Sequence, residues 1–451
     1  MAAVWAIGHP ALRPKPTATH YRCRSHDIIS HMKPSAQRIQ KTYLVLTLFN
    51  TLAASFIWGI NTLFLLDAGL SVTAAFAANA LFSVGQLVFE IPTGVVADTM
   101  GRRMSYLLGT ITLGASTLLY LLAWHVHAGF WAWAVTSILL GLGFTFFSGA
   151  TEAWLVDALH ATGYTGTLDS VFARGQIIGG VAMLTGSVAG GLIAQVTNLG
   201  VPYILRAGVL LINFVLAFIY MKDLGFTPVR DEKALANVKK LLRTSIDSGL
   251  KNPPVRWVML TAPFSAGVGF YAFYAMQPFL LKLFGNPHAY GIAGLAAAIV
   301  AGAQILGGMA VPYVRRLFSR RTTILMLGII GSAAILAIIG LATNFWVAVG
   351  LLIAWAVIFA ATGPIRQAYL NGLIPSAQRA TVLSFDNMIG SAGGTITQPA
   401  LGKTADLWGY GVSYMWSGAV QILALPFLLL ARRTKPASDP IEPDPKVEAK
   451  G

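Results

Sequence analysis

The chain has 451 residues, of which 55% are hydrophobic and only 11% are charged. An ordinary soluble domain carries roughly a quarter charged residues, so this composition excludes a water-soluble fold. The formal net charge of +15 would suggest nucleic-acid binding in a soluble protein. The position of the basic residues along the chain follows membrane topology instead, and we expect no nucleic-acid partner.

Residues 1–41 form a polar leader, which we predict to be a cytoplasmic tail. The leader lacks an apolar run followed by a small-residue cleavage site, so the first spanning helix is expected to act as an uncleaved insertion signal. Met32 offers a second plausible start. The single cysteine, Cys23, lies between His20 and His26. Because a closed metal site needs a fourth ligand, we expect neither a metal site nor a disulfide here.

Apolar segments long enough to cross a hydrocarbon core of about 30 Å recur twelve times along the chain. The first six lie near residues 42–66, 72–96, 104–124, 129–155, 170–196 and 203–221. The second six lie near residues 256–284, 290–313, 322–341, 345–369, 380–402 and 410–431. We therefore predict an all-α membrane protein with one six-helix bundle at 42–221, a second at 256–431 and a cytoplasmic tail at 432–451.

An even number of crossings puts both termini on one side of the membrane. All but three of the 32 Lys and Arg residues fall on that side or at its helix ends, the exceptions being Arg206, Lys282 and Lys403. By the positive-inside rule this side is the cytoplasm, which predicts a multi-pass protein of the cell membrane with both termini inside. Arg206, near the outer end of the sixth span, is interpreted as an interfacial side chain that snorkels to the membrane surface.

The longest loop, 222–255, places Leu235, Val238, Leu241 and Leu242 at helical spacing among basic residues. This pattern predicts an amphipathic helix on the inner leaflet that links the two bundles. A calmodulin-type target is the alternative interpretation.

The two halves of the sequence align on each other at a nearly constant offset of about 214 residues. Residues 94–103 lie over 308–316, and 152–155 lie over 367–370. Ordered matches at one offset indicate a duplicated six-helix unit, with two halves related by pseudo-twofold symmetry. In such an architecture one half rocks against the other around a site at the midplane.

The loop after the second span reads Gly94-x-x-x-Asp98-x-x-Gly101-Arg102-Arg103. Glycine allows a close approach of the backbone, and Asp98 can pair with Arg102 one turn on. This sequence resembles the signature between helices two and three of the major facilitator superfamily. The resemblance implies a loop that latches the two halves on the cytoplasmic side, with Asp98 near the start of the eleventh helix at 379–381.

Three further segments are similar to bacterial drug-efflux members of that family: Glu90–Gly94, Glu152–Trp154 and Arg379–Thr381. The fifth span carries Gly186–Gly191, which resembles the antiporter glycine motif, although Ser187 stands where the motif has proline. The fourth span also lacks the arginine of many proton-coupled exporters. The resemblance implies export by proton exchange.

One face of the second span carries a polar stripe, made of Asn79, Ser83, Gln86 and Glu90. An ionisable group in a spanning helix is costly unless it faces a cavity or a partner. The stripe therefore predicts a cavity wall with Glu90 as a proton carrier. The alternative is hydrogen bonding between helices, with a paired carboxylate near the inner interface.

The tenth span places Trp355, Phe359, Thr362 and Arg366 on one face. Arg366 is expected to pair with Glu152 or with Asp386 of the eleventh span. Such a pair would serve as an inner gate or as a purely structural contact. Asp386 is also a second proton-coupling candidate, after Glu90.

Aromatic and amide side chains cluster in the first and seventh spans. The members are Trp58, Asn61, Phe270, Tyr271, Phe273, Tyr274 and Gln277. Rings with a few amides suit a bulky, partly apolar solute, and the alternative is packing in the core or toward lipid.

The sequence has no Walker A motif and no HExxH motif, so it indicates neither ATP-driven transport nor zinc hydrolysis. We expect a monomeric secondary transporter of a small organic solute, coupled to protons in efflux by alternating access. It is predicted not to be an enzyme and to need no cofactor or metal. The alternatives are a proton-coupled nutrient uptake symporter and a non-transporting sensor on the same fold.

Overall fold

The computed structural model describes residues 35–227, 249–374 and 379–441. Residues 1–34 of the polar leader, which include His20, Cys23 and His26, and most of the predicted amphipathic linker lie outside these ranges, whereas residues 36–41 of the leader form the first turns of α1. The first half contains α1 (Ala36–Trp58), α2 (Asn61–Asp67), α3 (Val72–Met100), α4 (Arg102–His125), α5 (Phe130–Thr145), α6 (Ala150–Ala161), α7 (Leu168–Val196) and α8 (Val201–Tyr220). The second half contains α9 (Pro253–Met259), α10 (Ala262–Phe284), α11 (Tyr290–Leu317), α12 (Arg321–Leu341), α13 (Phe345–Asn371), α14 (Arg379–Ile422) and α15 (Leu425–Arg433).

The described helices account for twelve crossings. Ten helical segments are long and apolar enough to span a membrane, and α1 with α2 forms an eleventh across a bend of 47°. The segment Val382–Arg433 has 52 residues, which at about 1.5 Å per residue is more than twice the hydrocarbon thickness. Non-helical Gly409 interrupts it, and Ser413 Oγ donates to Leu401 O at 2.7 Å. A straight helix would separate those residues by about 18 Å, so the chain turns back and crosses twice.

Several crossings are broken, and the breaks position polar groups. In the fourth crossing α5 ends at Thr145 and α6 begins at Ala150, with Gly149 between them at φ +68°. Glycine adopts this left-handed conformation without a Cβ penalty. The break turns Ser148 toward α3, where it meets Glu90.

Small residues allow neighbouring helices within each half to touch through their backbones. A Cβ at Gly141 of α5 would lie 2.8 Å from the Gln86 nitrogen of α3. A Cβ at Gly190 of α7 would meet the backbone of Phe56 in α1. In a bilayer, where lipid is as apolar as the side chains, such close backbone packing is a main source of helix association.

The two halves meet along two antiparallel helix pairs, α3 with α14 and α7 with α11. A Cβ at Gly191 of α7 would lie 2.9 Å from the Cα of Gly294 in α11. A Cβ at Gly402 of α14 would lie 3.1 Å from the Cβ of Phe76 in α3. The glycine motif of the fifth span therefore lies partly on the interface between the halves.

The two ends of the helix bundle differ in charge. We call the end at which α3, α11 and α15 finish the basic face, because arginines crowd there, namely Arg102, Arg103, Arg315, Arg316, Arg320, Arg321, Arg432 and Arg433. The other end, at which α3 and α11 begin, is called the opposite face. The arrangement confirms an all-α fold of two six-helix bundles.

Candidate solute pathway

Buried Gln277 joins the two halves toward the opposite face. Its Oε1 accepts a hydrogen bond from the Thr62 N–H at 3.0 Å, and its Nε2 donates to the Trp58 carbonyl at 3.0 Å. The Trp58 ring also stacks on Phe273, with 4.3 Å between centroids. The structure thus places Gln277, a sequence-predicted cavity residue, in a contact that spans the bend between α1 and α2.

A second contact across the halves involves Asp406, which the sequence reasoning missed. Its carboxylate accepts hydrogen bonds from the backbone N–H groups of Val72 at 3.0 Å and Thr73 at 2.8 Å, and from Thr73 Oγ1 at 2.5 Å. An acid at a helix N-terminus satisfies free N–H groups and interacts favourably with the helix dipole. Asp406 therefore caps α3 from the other half of the molecule.

A third contact joins α7 to α11 at the same end, where the Gly291 N–H donates to Gln195 Oε1 at 2.9 Å. All of these hydrogen bonds between the halves lie toward the opposite face. They hold that end closed.

A cavity of about 100 Å³ lies beneath this closed end, within the first half and covered on one side by Tyr274 of the second. Four sequence-predicted residues meet on its wall, namely Trp58, Asn61, Asn79 and Tyr274. Phe82, Tyr120, Phe144 and Arg206 complete its polar and aromatic lining. We call it the central cavity.

A chain of hydrogen bonds fixes the amides in the central cavity. Tyr203 Oη donates to Asn61 Oδ1 at 2.8 Å, and Asn61 Nδ2 donates to Asn79 Oδ1 at 2.9 Å. The Nδ2 group of Asn79 is buried without a hydrogen-bond partner in the described part of the chain. That spare donor makes the network incomplete, since buried polar groups are normally paired.

Arg206 is 3% exposed and lines the central cavity, so its interpretation as a snorkelling interfacial residue is wrong. Its Nε donates to Thr117 Oγ1 at 3.1 Å, and its guanidinium lies 6.0 Å from the Phe144 ring centroid. A single arginine near a helix end has the same sequence signature whether it turns outward or inward. Only the packing of α8 against α4 decides the direction.

A larger cavity of about 380 Å³ lies inside the second half, toward the basic face. We call it the second-half cavity. Its wall combines the rings of Phe270 and Phe359 with polar side chains, which include Ser265, Ser332, Thr362, Arg366, Asp386, Asn387, Ser391 and Gln421. Its volume falls in the range of small-molecule sites.

Arg366 and Asp386 form a two-pronged ion pair on the wall of the second-half cavity. Nη1 lies 2.5 Å from Oδ2 and Nη2 lies 2.6 Å from Oδ1, while Nη2 also donates to the Val258 carbonyl at 3.2 Å. Of the two partners considered for Arg366, the structure brings Asp386 to it. Glu152 is exposed at the start of α6.

The polar stripe of α3 divides between several environments. Asn79 and Ser83 are buried, whereas Gln86 and Glu90 are half-buried. Glu90 Oε1 accepts a hydrogen bond from Ser148 Oγ at 2.6 Å, which ties α3 to the break in the fourth crossing. The structure therefore gives Glu90 a neutral partner and leaves part of its surface open.

Two predicted cavity residues are packed instead in the core of the second half. Tyr271 is fully buried, with its ring 4.7 Å from that of Phe76 across the interface. Trp355 is 2% exposed and stacks on Phe359 at 5.5 Å. Trp355 therefore supports a wall residue of the second-half cavity from behind.

The signature loop is anchored within its own half. Asp98 pairs with Arg102, and Arg103 donates from its backbone N–H to Asp223 Oδ1 at 2.9 Å and from Nη2 to the Phe218 carbonyl at 2.6 Å. Burial raises the pKa of Asp223, against the lowering effect of the Arg103 hydrogen bond and charge.

The expected glycine contact occurs at Gly101, whereas a Cβ at Gly94 would meet nothing within 4 Å. Gly101 has φ +104°, and a Cβ there would collide with Asp223. The side chains of 379–381, which the resemblance puts near Asp98, lie outside the part of the chain that the structure describes.

Comparison with known families matches two overlapping segments, residues 43–394 and 289–450, to the Major Facilitator Superfamily. Together these segments cover most of the chain. The chain belongs to the major facilitator superfamily. It is therefore a multi-pass membrane protein of a transporter family and not an enzyme, as the sequence analysis expected.

Among curated relatives, the chain is similar to the Multidrug resistance protein MdtG of Salmonella choleraesuis (strain SC-B67), with 31% identity over 195 residues. The protein of the same name from Salmonella paratyphi A (strain ATCC 9150 / SARB42) is 30% identical over 194 residues. Each match covers 41% of this chain and 43% of the relative. The chain thus matches less than half the length of these curated relatives.

Solved structures of major facilitator proteins share the fold over nearly the whole chain. A mutant of the nucleoside transporter NupG superposes with a TM-score of 0.73 at 11% identity, covering 87% of this chain and 99% of that one. A D-xylose-proton symporter gives 0.62 at 16% identity, with 87% and 96% coverage. A bacterial homologue of the lysosomal transporter Spinster gives 0.67 at 15% identity, with 89% and 98% coverage.

Proposed function

We propose that this major facilitator protein exports a small organic solute across a bacterial inner membrane in exchange for protons. The basic face is the cytoplasmic face in this proposal, and both termini lie there. The name of the curated relatives, a multidrug resistance protein, supports export. The resemblance of the Glu90, Glu152 and Arg379 segments to drug-efflux members supports the same direction.

The observation that carries the proposal is the set of hydrogen bonds between the halves that, among the described residues, close the opposite face. The hydrogen bonds of Gln277, Asp406 and Gln195 between the halves lie toward the opposite face, while the second-half cavity lies toward the basic face. A carrier that alternates its access needs such a state, closed at one membrane face while solute binds from the other. An exporter in this state takes up solute from the cytoplasm.

Protons are carried in this proposal by Glu90 or Asp386. Glu90 is half-buried and bonded only to the Ser148 hydroxyl among its described partners, so it can gain a proton without leaving a charged partner unpaired. Asp386 is buried and held by the partly exposed Arg366, so its protonation would leave the Arg366 charge without its partner. The signature loop acts as the latch of the cytoplasmic side through Asp98, with Gly94, Gly101, Arg102, Arg103, Glu152 and Arg366 in supporting positions.

The test is an accumulation and susceptibility panel in bacteria, combined with flux in inside-out vesicles under an imposed pH gradient. Wild-type protein should lower the accumulation of at least one amphiphilic compound, and the vesicles should take up that compound when their interior is acidic. If Glu90 is the proton carrier, Glu90→Gln should abolish the response to the pH gradient and Glu90→Asp, the matched control, should retain part of it, whereas an intact response in Glu90→Gln would assign the proton to Asp386. Flux that ignores the gradient would contradict proton exchange.

The same vesicles separate the two rival functions. A nutrient symporter would move solute and protons in the same direction, so an acidic vesicle interior would drive solute out. A sensor would bind solute with no flux under any gradient. Either result would replace the exporter proposal.

A further inference from the structure

The central cavity contains a buried positive charge, and no negatively charged side chain lies beside it among the described residues. Arg206 is 3% exposed, and its ionisable neighbours are the hydroxyl groups of Tyr120, Tyr203 and Tyr274. No carboxylate forms an ion pair with it in the chain segments that the structure covers. A buried charge without a partner is costly, so such a residue in a membrane protein marks a functional site.

The donor groups of Arg206 are only partly used by the protein. Its Nε is bonded to Thr117 Oγ1, and neither Nη group donates a hydrogen bond to any residue of the described ranges. The guanidinium carries its donors in a rigid fork that matches a carboxylate with two parallel hydrogen bonds. Two nitrogen groups therefore remain to receive an anion in the cavity.

The walls around Arg206 define what kind of anion fits. Aromatic rings of both halves line the cavity, with Trp58, Phe144 and Tyr120 from the first half and Tyr274 from the second. The unpaired Nδ2 of Asn79 adds a hydrogen-bond donor on the same wall. A wall with donors and rings but no acidic group favours an anionic head joined to a flat apolar body.

The position of Arg206 connects this site to the conformational change. The residue lies five positions into α8, about 8 Å along the helix from the opposite face. Tyr274 on α10 reaches the same cavity from the other half. A solute that contacts both residues would touch both moving bodies at the closed end of the pathway.

We propose that Arg206 binds the carboxylate of an organic anion with an aromatic or otherwise apolar body, and that this class is the transported solute. The proposal rests on the transport function proposed above and names its substrate class. Arg206 is then the residue that selects anions, while Trp58 and Tyr274 contact the body of the solute.

The experiment compares three probes that share one ring system: 2-naphthoate, 2-naphthamide and 2-naphthylmethylammonium. Their binding to the purified full chain in detergent is measured by equilibrium dialysis. The naphthoate should bind at least tenfold more tightly than the amide and the ammonium compound. Arg206→Gln should remove that preference, and Arg206→Lys should keep part of it. Arg433→Gln, which removes an exposed arginine at the end of α15, is the charge-matched control.

Equal affinity for the three probes, or an unchanged preference in Arg206→Gln, would overturn the anion site. Thermal unfolding of each variant shows whether Arg206→Gln is folded, and Arg206→Lys keeps the comparison valid if the glutamine variant is not. Binding in detergent does not depend on flux. Selective binding without naphthoate flux in vesicles would therefore reject this class as the transported solute and leave Arg206 as an anion site, whereas the export function is tested separately by the accumulation panel.

Discussion

The carboxylate of Asp406 on α14 lies 2.8 Å from the backbone nitrogen of Thr73 on α3 and caps that helix, although 333 residues separate the two in sequence. The first crossing of α14, which ends near Gly409, is antiparallel to α3, so the end of that crossing lies beside the beginning of α3. The family resemblance implies the converse contact at the basic face, between Asp98 near the end of α3 and the start of α14. Each helix would then cap its partner in one of the two states.

Asp406→Ala should favour opening of the opposite face. Losing a helix cap costs about 1 kcal/mol, which changes a two-state population by about fivefold. Spin labels on exposed Trp131→Cys and Leu341→Cys, in a Cys23→Ser background, report the distance between the halves at that face. The long-distance population should grow about fivefold. Asp406→Asn should give a smaller change, since asparagine is also a good cap, and equal distributions in all variants would refute the capping role.

Gln277→Leu should act in the same direction, because it removes two hydrogen bonds between the halves. Each neutral hydrogen bond contributes about 1 kcal/mol, and the Thr62 N–H and Trp58 carbonyl would lose their partner. The same pair of labels should show a shift at least as large as that of Asp406→Ala. The double variant Asp406→Ala/Gln277→Leu tests whether the two contacts are coupled. If its long-distance population is no larger than that of either single variant, the two contacts open together.

Asp386→Asn should destabilise the second half. The Asp386 side chain is 5% exposed, so its loss leaves Arg366 with an uncompensated charge, at a cost of about 3 kcal/mol. The thermal midpoint in detergent should fall clearly. The double variant Arg366→Gln/Asp386→Asn should recover part of the loss, because it removes both charges. If the double variant lost more thermal stability than the two single variants together, the ion pair would not be the cause.

Gly101→Ala should weaken the signature loop, whereas Gly94→Ala should be tolerated. Gly101 has φ +104° and its Cβ would meet Asp223, while Gly94 has open space around the Cβ position. A left-handed backbone at alanine costs about 1 kcal/mol or more before the collision is counted. The measurement is the thermal midpoint of each variant together with its export activity. If the two substitutions lowered the thermal midpoint and the export activity equally, the backbone conformation of Gly101 would not explain its role in the loop.

The sequence by itself determined the number of crossings, the clustering of basic residues at one face and the family. These features depend on local rules, since a hydrocarbon core of fixed thickness demands apolar segments of a given length. The helix face shared by Asn79 and Ser83 was predictable for the same reason, because side chains three or four residues apart lie on one side of a helix. The signature from Gly94 to Arg103 is likewise contained in a single loop.

Only the tertiary structure decided which polar side chains meet. Arg206 faces a cavity instead of the membrane surface, Arg366 pairs with Asp386, and Asp406 caps a helix of the other half. Each of these contacts joins separate helices, and the hydropathy of one helix does not specify how it is rotated against its neighbours. That rotation is set by close packing at small residues such as Gly191 and Gly294, far apart in the chain.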